Sequence, residues 1–244
     1  MLQKRYGTAK SGGAVRGRMP GEGFMNVFDI IGPVMIGPSS SHTAGAARLG
    51  GMSRALLGAA PVRARIELYG SFAKTYRGHG TDKALIAGIM GMQTDDVRLR
   101  HAPELAKEAK IDVEITEGER DGVHPNTAFI QLWDTAGKHV SLLGSSIGGG
   151  NILVMEVNGM PVEITGQKTT LIVLHRDTPG TIAAVTELLA AKGVNICNFR
   201  LSREHRGGEA VMSIEMDGEM GEELAEEVLA LDNIYSSTML RPVS

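Results

Sequence analysis

The chain has 244 residues, room for one large domain or two ordinary ones, with the 42% hydrophobic and 22% charged residues of a globular protein. A net charge of −3 argues against a dedicated nucleic-acid binder; no apolar run approaches the roughly 18–20 residues that span a bilayer, so no membrane partner is expected either. Cys197 is the only cysteine, which rules out an internal disulfide and any iron–sulfur or cysteine-type zinc site built by this chain alone, and fits a reducing, cytoplasmic setting.

Residues 1–24 carry five Lys or Arg against one Glu, six Gly and no periodic apolar face. They lack the apolar core of a signal peptide and read as a disordered leader or a non-native start, with Met25 as the natural beginning. From Val27 the elements are mixed. A helix is predicted over 39–58, with Ser39, Ser40 and Ser41 as cap candidates. Val62, Ala64, Ile66 and Leu68 alternate with Arg63, Arg65, Glu67 and Tyr69 as a half-buried strand. Asp82 is placed to cap a short helix containing Leu85 and Ile89. Ile111, Val113 and Ile115 alternate again, and strand-like stretches follow at 127–133, 138–143 and 151–157. Residues 25–160 therefore form a mixed α/β block, and Pro161 and Gly166 mark a linker over 161–168.

From residue 169 to 244 the pattern is strand 169–174, helix 179–192, strands 194–203 and 208–216, helix 221–231 and strand 234–240. Ile182, Val185 and Leu189 share one helix face, as do Leu224, Val228 and Leu231. The order βαββαβ is ferredoxin-like. His175-Arg176-Asp177-Thr178-Pro179-Gly180 lies between the first strand and helix, and Gly193-Val194-Asn195-Ile196 opens the second strand. This segment resembles an ACT domain, an amino-acid-sensing module. The resemblance implies an effector site at His175, Asp177 and Asn195, and self-association edge to edge. A loop opening a helix offers N–H groups to a carboxylate, and Asp177 and Asn195 can accept from an ammonium group. The same residues also fit a plain turn.

Four segments of the first block carry chemistry. Gly37-Pro38-Ser39-Ser40-Ser41-His42-Thr43 offers more cap hydroxyls than one helix start requires. Gly78-His79-Gly80-Thr81-Asp82 frees an imidazole between two glycines in a loop. His124-Pro125-Asn126 puts a histidine in a turn before a strand. Ser145-Ser146-Ile147-Gly148-Gly149-Gly150-Asn151 suits either an oxyanion nest or a plain hairpin, and lacks the Lys and following helix of a nucleotide loop. Taken singly, each also fits a structural turn or cap.

In this order, and followed by an ACT module, the four resemble the beta subunit of iron–sulfur-dependent L-serine dehydratase, from about residue 25 to the end. The first block also looks like the allosteric-substrate-binding fold shared with some D-3-phosphoglycerate dehydrogenases. The resemblance implies a 4Fe–4S cluster held by the cysteines of a separate alpha subunit, whose open iron acts as a Lewis acid on the serine hydroxyl. Loss of the Cα proton and the hydroxyl then gives aminoacrylate, and from it pyruvate and ammonia. It further implies that His42, His79 and His124 bind carboxylate or move protons. Ser39, Ser40, Ser41 and Thr43 would position L-serine, with Ser146, Gly148, Gly149 and Gly150 lining the same cavity. Cys197 reads as a small buried residue. The competing readings are a free-standing amino-acid sensor and a regulatory piece of a 3-phosphoglycerate dehydrogenase-like assembly. Neither needs the three histidines.

Overall fold

A computed structural model describes residues 39–218 and 220–240; the expected leader and the start at Met25 lie outside them. A π-helical turn, Ser40–Gly45, runs into α1 (Ala46–Leu57), which Gly58 ends at φ 74°. Then follow β1 (Arg63–Tyr69), α2 (Gly70–His79), α3 (Thr81–Ile89), α4 (Ala102–Glu108) and β2 (Asp112–Glu117). The strands β3 (Asn126–Trp133), β4 (His139–Gly148), β5 (Asn151–Val157) and β6 (Met160–Ile164) complete a sheet ordered β2-β1-β3-β4-β5-β6. Only β1 and β2 are parallel, as the helical crossover between them allows; the other neighbours are antiparallel. Alternation does what the sequence promised: Ala64, Ile66 and Leu68 of β1 join Ala128, Ile130 and Leu132 of β3 in one core under the helices.

α1 and α3 meet backbone to backbone. A Cβ on Gly88 would stand 1.9 Å from the Ala47 carbonyl oxygen, so no larger residue fits that crossing.

The C-terminal part is β7 (Thr169–Arg176), α5 (Thr181–Ala191), β8 (Ile196–Arg203), β9 (Glu209–Met216), α6 (Glu222–Leu229) and β10 (Ile234–Leu240), in the sheet order β10-β7-β9-β8. This is the βαββαβ arrangement of an ACT domain. Leu171, Val173, Met212 and Ile214 pack beneath the helices with Val185, Leu189, Leu224 and Val228. Ile172, Leu174, Val211 and Leu240 point the other way and belong to the core of the first block. The two sheets thus share a hydrophobic interior. Among the described residues no helix is long and apolar enough to cross a membrane.

Several local expectations are corrected. Met160–Ile164 pairs with β5 as an edge strand, so the linker expected at 161–168 begins inside a strand. Asp82 is the second residue of α3, behind the N-cap Gly80, and does not cap it. Cys197 is exposed, because β8 is an edge strand, and its sulfur accepts from Lys168 Nζ at 3.0 Å. Ile182 is 38% exposed on α5 and takes no place in the core beside Val185 and Leu189.

Candidate active site

The three histidines come from three different elements. His42 sits in the π-helical turn, a distortion frequent at functional positions. Ser39 caps that turn: its Oγ accepts from His42 N at 3.3 Å and lies 3.3 Å from His42 Nδ1. On the other side of the ring, Nε2 is 3.1 Å from Thr75 Oγ1 and 3.5 Å from Ser71 Oγ. Thr75 already donates its proton to the Ser71 carbonyl at 2.8 Å, so towards His42 it accepts. His42 is therefore the Nε2–H tautomer, with Nδ1 free to accept from Ser39. The ring is buried, 8% exposed, with Phe72 at 5.3 Å between centroids. Burial first, and the nearby His79 second, lower its pKa and favour the neutral form.

His79 ends α2, which the left-handed Gly80 terminates; it is helical, whereas a loop was expected between the glycines. Its imidazole is exposed on one side and edge-on to His42, 4.7 Å between centroids. Ser71, Thr75 and His79 follow the i, i+4, i+8 rule on one face of α2. That periodicity was the available signal for Ser71 and Thr75, both of which the motif reading passed over.

His124 occupies the turn before β3. Its Nδ1 accepts from Asn126 N at 3.1 Å, leaving Nε2 for a ligand, and its carbonyl accepts from Thr127 Oγ1 at 2.6 Å. Ser145 then donates to Thr127 at 2.7 Å, tying β4 to this turn. The turn is pinned to α2 at Gly70 (φ 58°), where a Cβ would stand 2.6 Å from the Pro125 carbonyl oxygen.

Ser71 and Thr75 on one wall, and His124 on the other, line an open cleft of about 420 Å³. Lys74 and Arg120 add positive charge to it; Arg120 is shared with Glu156 at 2.6 Å, whereas Lys74 makes no ion pair among the described residues. Lys74 stands three residues after Ser71 on α2, so helix spacing would have found it too.

Not every expected residue reaches this cleft: of the three histidines only His124 lines it, and His42, His79 and Ser39 are not among its described lining residues. Ser40 and Ser41 are half-buried beside His42, and Thr43 is buried. Ser146 is buried in β4 against Gly45, and its Oγ has no partner among the described residues. Gly148, Gly149 and Gly150, all at positive φ, form the β4–β5 turn and are not among the residues lining the cleft.

In the C-terminal part, His175 is buried; its Nδ1 donates to the Arg176 carbonyl at 2.8 Å and its Nε2 has no partner among the described residues. Asp177 accepts from Gly207 N at 3.0 Å and Arg203 Nη1 at 2.9 Å, and these two hold its carboxyl below the usual range. Asn195 donates instead to Asp217 at 2.6 Å. Register sets them apart: Arg203 faces Ala210 at one end of the β8–β9 ladder, and Ile196 faces Met216 at the other. One chain therefore does not bring Asp177 and Asn195 together.

Among the described residues, no group of three His, Cys, Asp or Glu side chains is placed to hold a metal ion. Cys197, exposed on the edge strand β8, offers a single sulfur, so this donor set does not fit an iron–sulfur cluster.

Comparison with known proteins matches residues 26–157 to the serine dehydratase beta chain family and residues 169–233 to the ACT domain family. The chain is 44% identical over 217 residues to a probable L-serine dehydratase beta chain of Bacillus subtilis (strain 168), covering 89% of this chain and 98% of that one. It is 33% identical over 213 residues to the L-serine dehydratase beta chain of Peptoniphilus asaccharolyticus, 87% and 96% of the two chains. A D-3-phosphoglycerate dehydrogenase of Synechocystis matches at 27% over 154 residues, only 28% of that enzyme.

Proposed function

The chain belongs to the serine dehydratase beta chain family and carries a C-terminal ACT domain, and from that premise we propose that it works with a cysteine-bearing alpha subunit to convert L-serine to pyruvate and ammonia. The 4Fe–4S cluster belongs on that partner, since the donors described here do not suit it.

The observation that carries the reading is that His42, packed against His79, contacts Ser71 and Thr75, which with His124 line a cationic cleft. Lys74 suits the substrate carboxylate as a point charge on a flexible stem. His79, exposed at the end of α2 one turn beyond Thr75 and in contact with His42, is the imidazole we assign to the Cα proton. His42, neutral and held on both ring nitrogens, is a positioning residue for the wall formed by Ser71 and Thr75. His124 offers Nε2 to the substrate from the opposite side. Ser39 fixes the His42 tautomer, while Ser146 packs against Gly45 of the π-helical turn and the triple-glycine turn is held by Arg48 of α1.

The ACT module is the regulatory half. Asp177 and Asn195 lie at opposite ends of β8, so antiparallel pairing of two β8 edges joins His175 and Asp177 of one chain to Asn195 of the next. Leu201 on that edge strand is 39% exposed, and Ile182 lies similarly open on α5. A free thiol fits a reducing, cytoplasmic setting.

The test is anaerobic co-expression with the alpha chain, reading pyruvate from L-serine. His79→Ala is expected to lower kcat/KM by at least ~10²-fold, the usual size of an acid–base contribution. Full activity of that variant, or serine turnover by this chain without its partner, would overturn the reading.

A further inference from the structure

A second cavity, of about 350 Å³, opens between α1, the loop after α3 and the end of β10, and shares no described residue with the cleft that His124 lines. Arg48 and Arg54 of α1 and Gln93 supply its polar wall; Met52, Ile152 and Leu240 supply its apolar one. Among the described residues no carboxylate lines it. Arg48 Nη1 donates to the Gly150 carbonyl at 2.6 Å and Arg54 Nη1 to the Ile89 carbonyl at 3.0 Å. Neither guanidinium makes an ion pair among the described residues, and Arg48 Nε is buried with no partner there. Two cationic side chains of one helix, each answered among the described residues only by a carbonyl oxygen and one of them with an orphaned buried N–H, leave a counter-charge wanting.

We propose that this cavity is a regulatory site for a small organic carboxylate, its oxygens held by Arg48 and Arg54 and its carbon end lying against Met52, Ile152 and Leu240. The volume stands at the lower end of the roughly 300–1,000 Å³ range of ligand sites, which calls for a compact molecule. The apolar wall favours an organic acid over inorganic phosphate, which has nothing to place there. Arginine's planar fork matches the two oxygens of a carboxylate.

The location makes the site regulatory. Leu240 closes it from the ACT sheet, so its shape depends on how that sheet is seated. Arg48 holds the Gly148–Gly150 turn through a backbone oxygen, and β4, which leads into that turn, presses Ser146 against Gly45 of the π-helical turn that carries His42. A carboxylate drawing on Arg48 therefore alters the support of the β4–β5 turn. The inference does not depend on the reaction assigned above.

Isothermal titration of the full chain with pyruvate as the probe tests it, alongside hydrogen exchange over residues 145–152. Saturable one-site binding is expected, with changed exchange in that segment. Arg54→Gln should weaken binding at least about tenfold, the loss of one charge-assisted contact. Arg54→Lys, which keeps the charge without the fork, guards against a folding artefact and should also weaken it. His42→Ala should leave binding unchanged. Absence of saturable binding up to millimolar pyruvate, undiminished binding in both Arg54 variants, or loss of binding in His42→Ala would each overturn the proposal. Inorganic phosphate binding as tightly as pyruvate would overturn the carboxylate assignment.

Discussion

The imidazole of His79 stands edge-on to that of His42, at an interplanar angle of 76°. The contact joins an exposed histidine to a buried one, and a positive charge on His79 raises the cost of protonating His42.

His42 is accordingly expected to titrate below its ordinary value of 6.5, through burial first and His79 second. A histidine with a lowered folded pKa contributes stability that is complete above the unfolded value and lost as pH falls from about 6.5 through the folded one. Proton NMR of the ring Cε1–H should show the depressed transition, and His79→Gln should move it upward. A His42 titration unchanged in His79→Gln would remove the coupling.

Thr75→Val keeps the shape of the side chain but removes the acceptor facing His42 Nε2–H. Nitrogen NMR should then show the Nε2–H tautomer losing its dominance. The folded state should weaken by about 1 kcal/mol, the net worth of a typical hydrogen bond.

Gly88→Ala places a methyl group where the Ala47 carbonyl already stands. Urea unfolding should show a loss of roughly 1–3 kcal/mol or more, the range for overpacking, because backbone must move to admit it. Gly78→Ala, with nothing within 4 Å of the added carbon, should leave stability almost unchanged.

Leu201→Asp puts a charge on the exposed edge of β8. If that edge pairs between chains, the variant should sediment as a smaller species and lose any rise in melting temperature given by L-serine. Asn195→Ala should lose the ligand effect while keeping the assembly. An L-serine shift preserved in a monomeric Leu201→Asp would place the effector elsewhere.

The elements were largely legible because their patterns are strong: period two in β1, and two amphipathic helices between four strands after residue 169. β6 escaped because five residues containing Pro161 look like a break, whereas an edge strand tolerates proline. Cys197 was misplaced because small apolar residues in a strand usually turn inward, and nothing local tells an edge strand from a central one. In the site, the histidines were visible as motifs, whereas their partners were marked only by helical spacing. Ser71, Lys74 and Thr75 gain meaning only once Gly70–His79 is known to be a helix with His42 lying on its side. The separation of Asp177 from Asn195 is a matter of strand register, which local spacing does not encode.

Ile172, Leu174, Val211 and Leu240 complete the interior of a block that ends before residue 165. On the ribosome that block emerges first and must wait, with an oily patch open to its surroundings, until the last strands are synthesised. A transcript truncated after β6 should accordingly yield a chaperone client or a precipitate. The ACT domain is then also a closing lid for biosynthesis, and its loss would cost the chain its solubility.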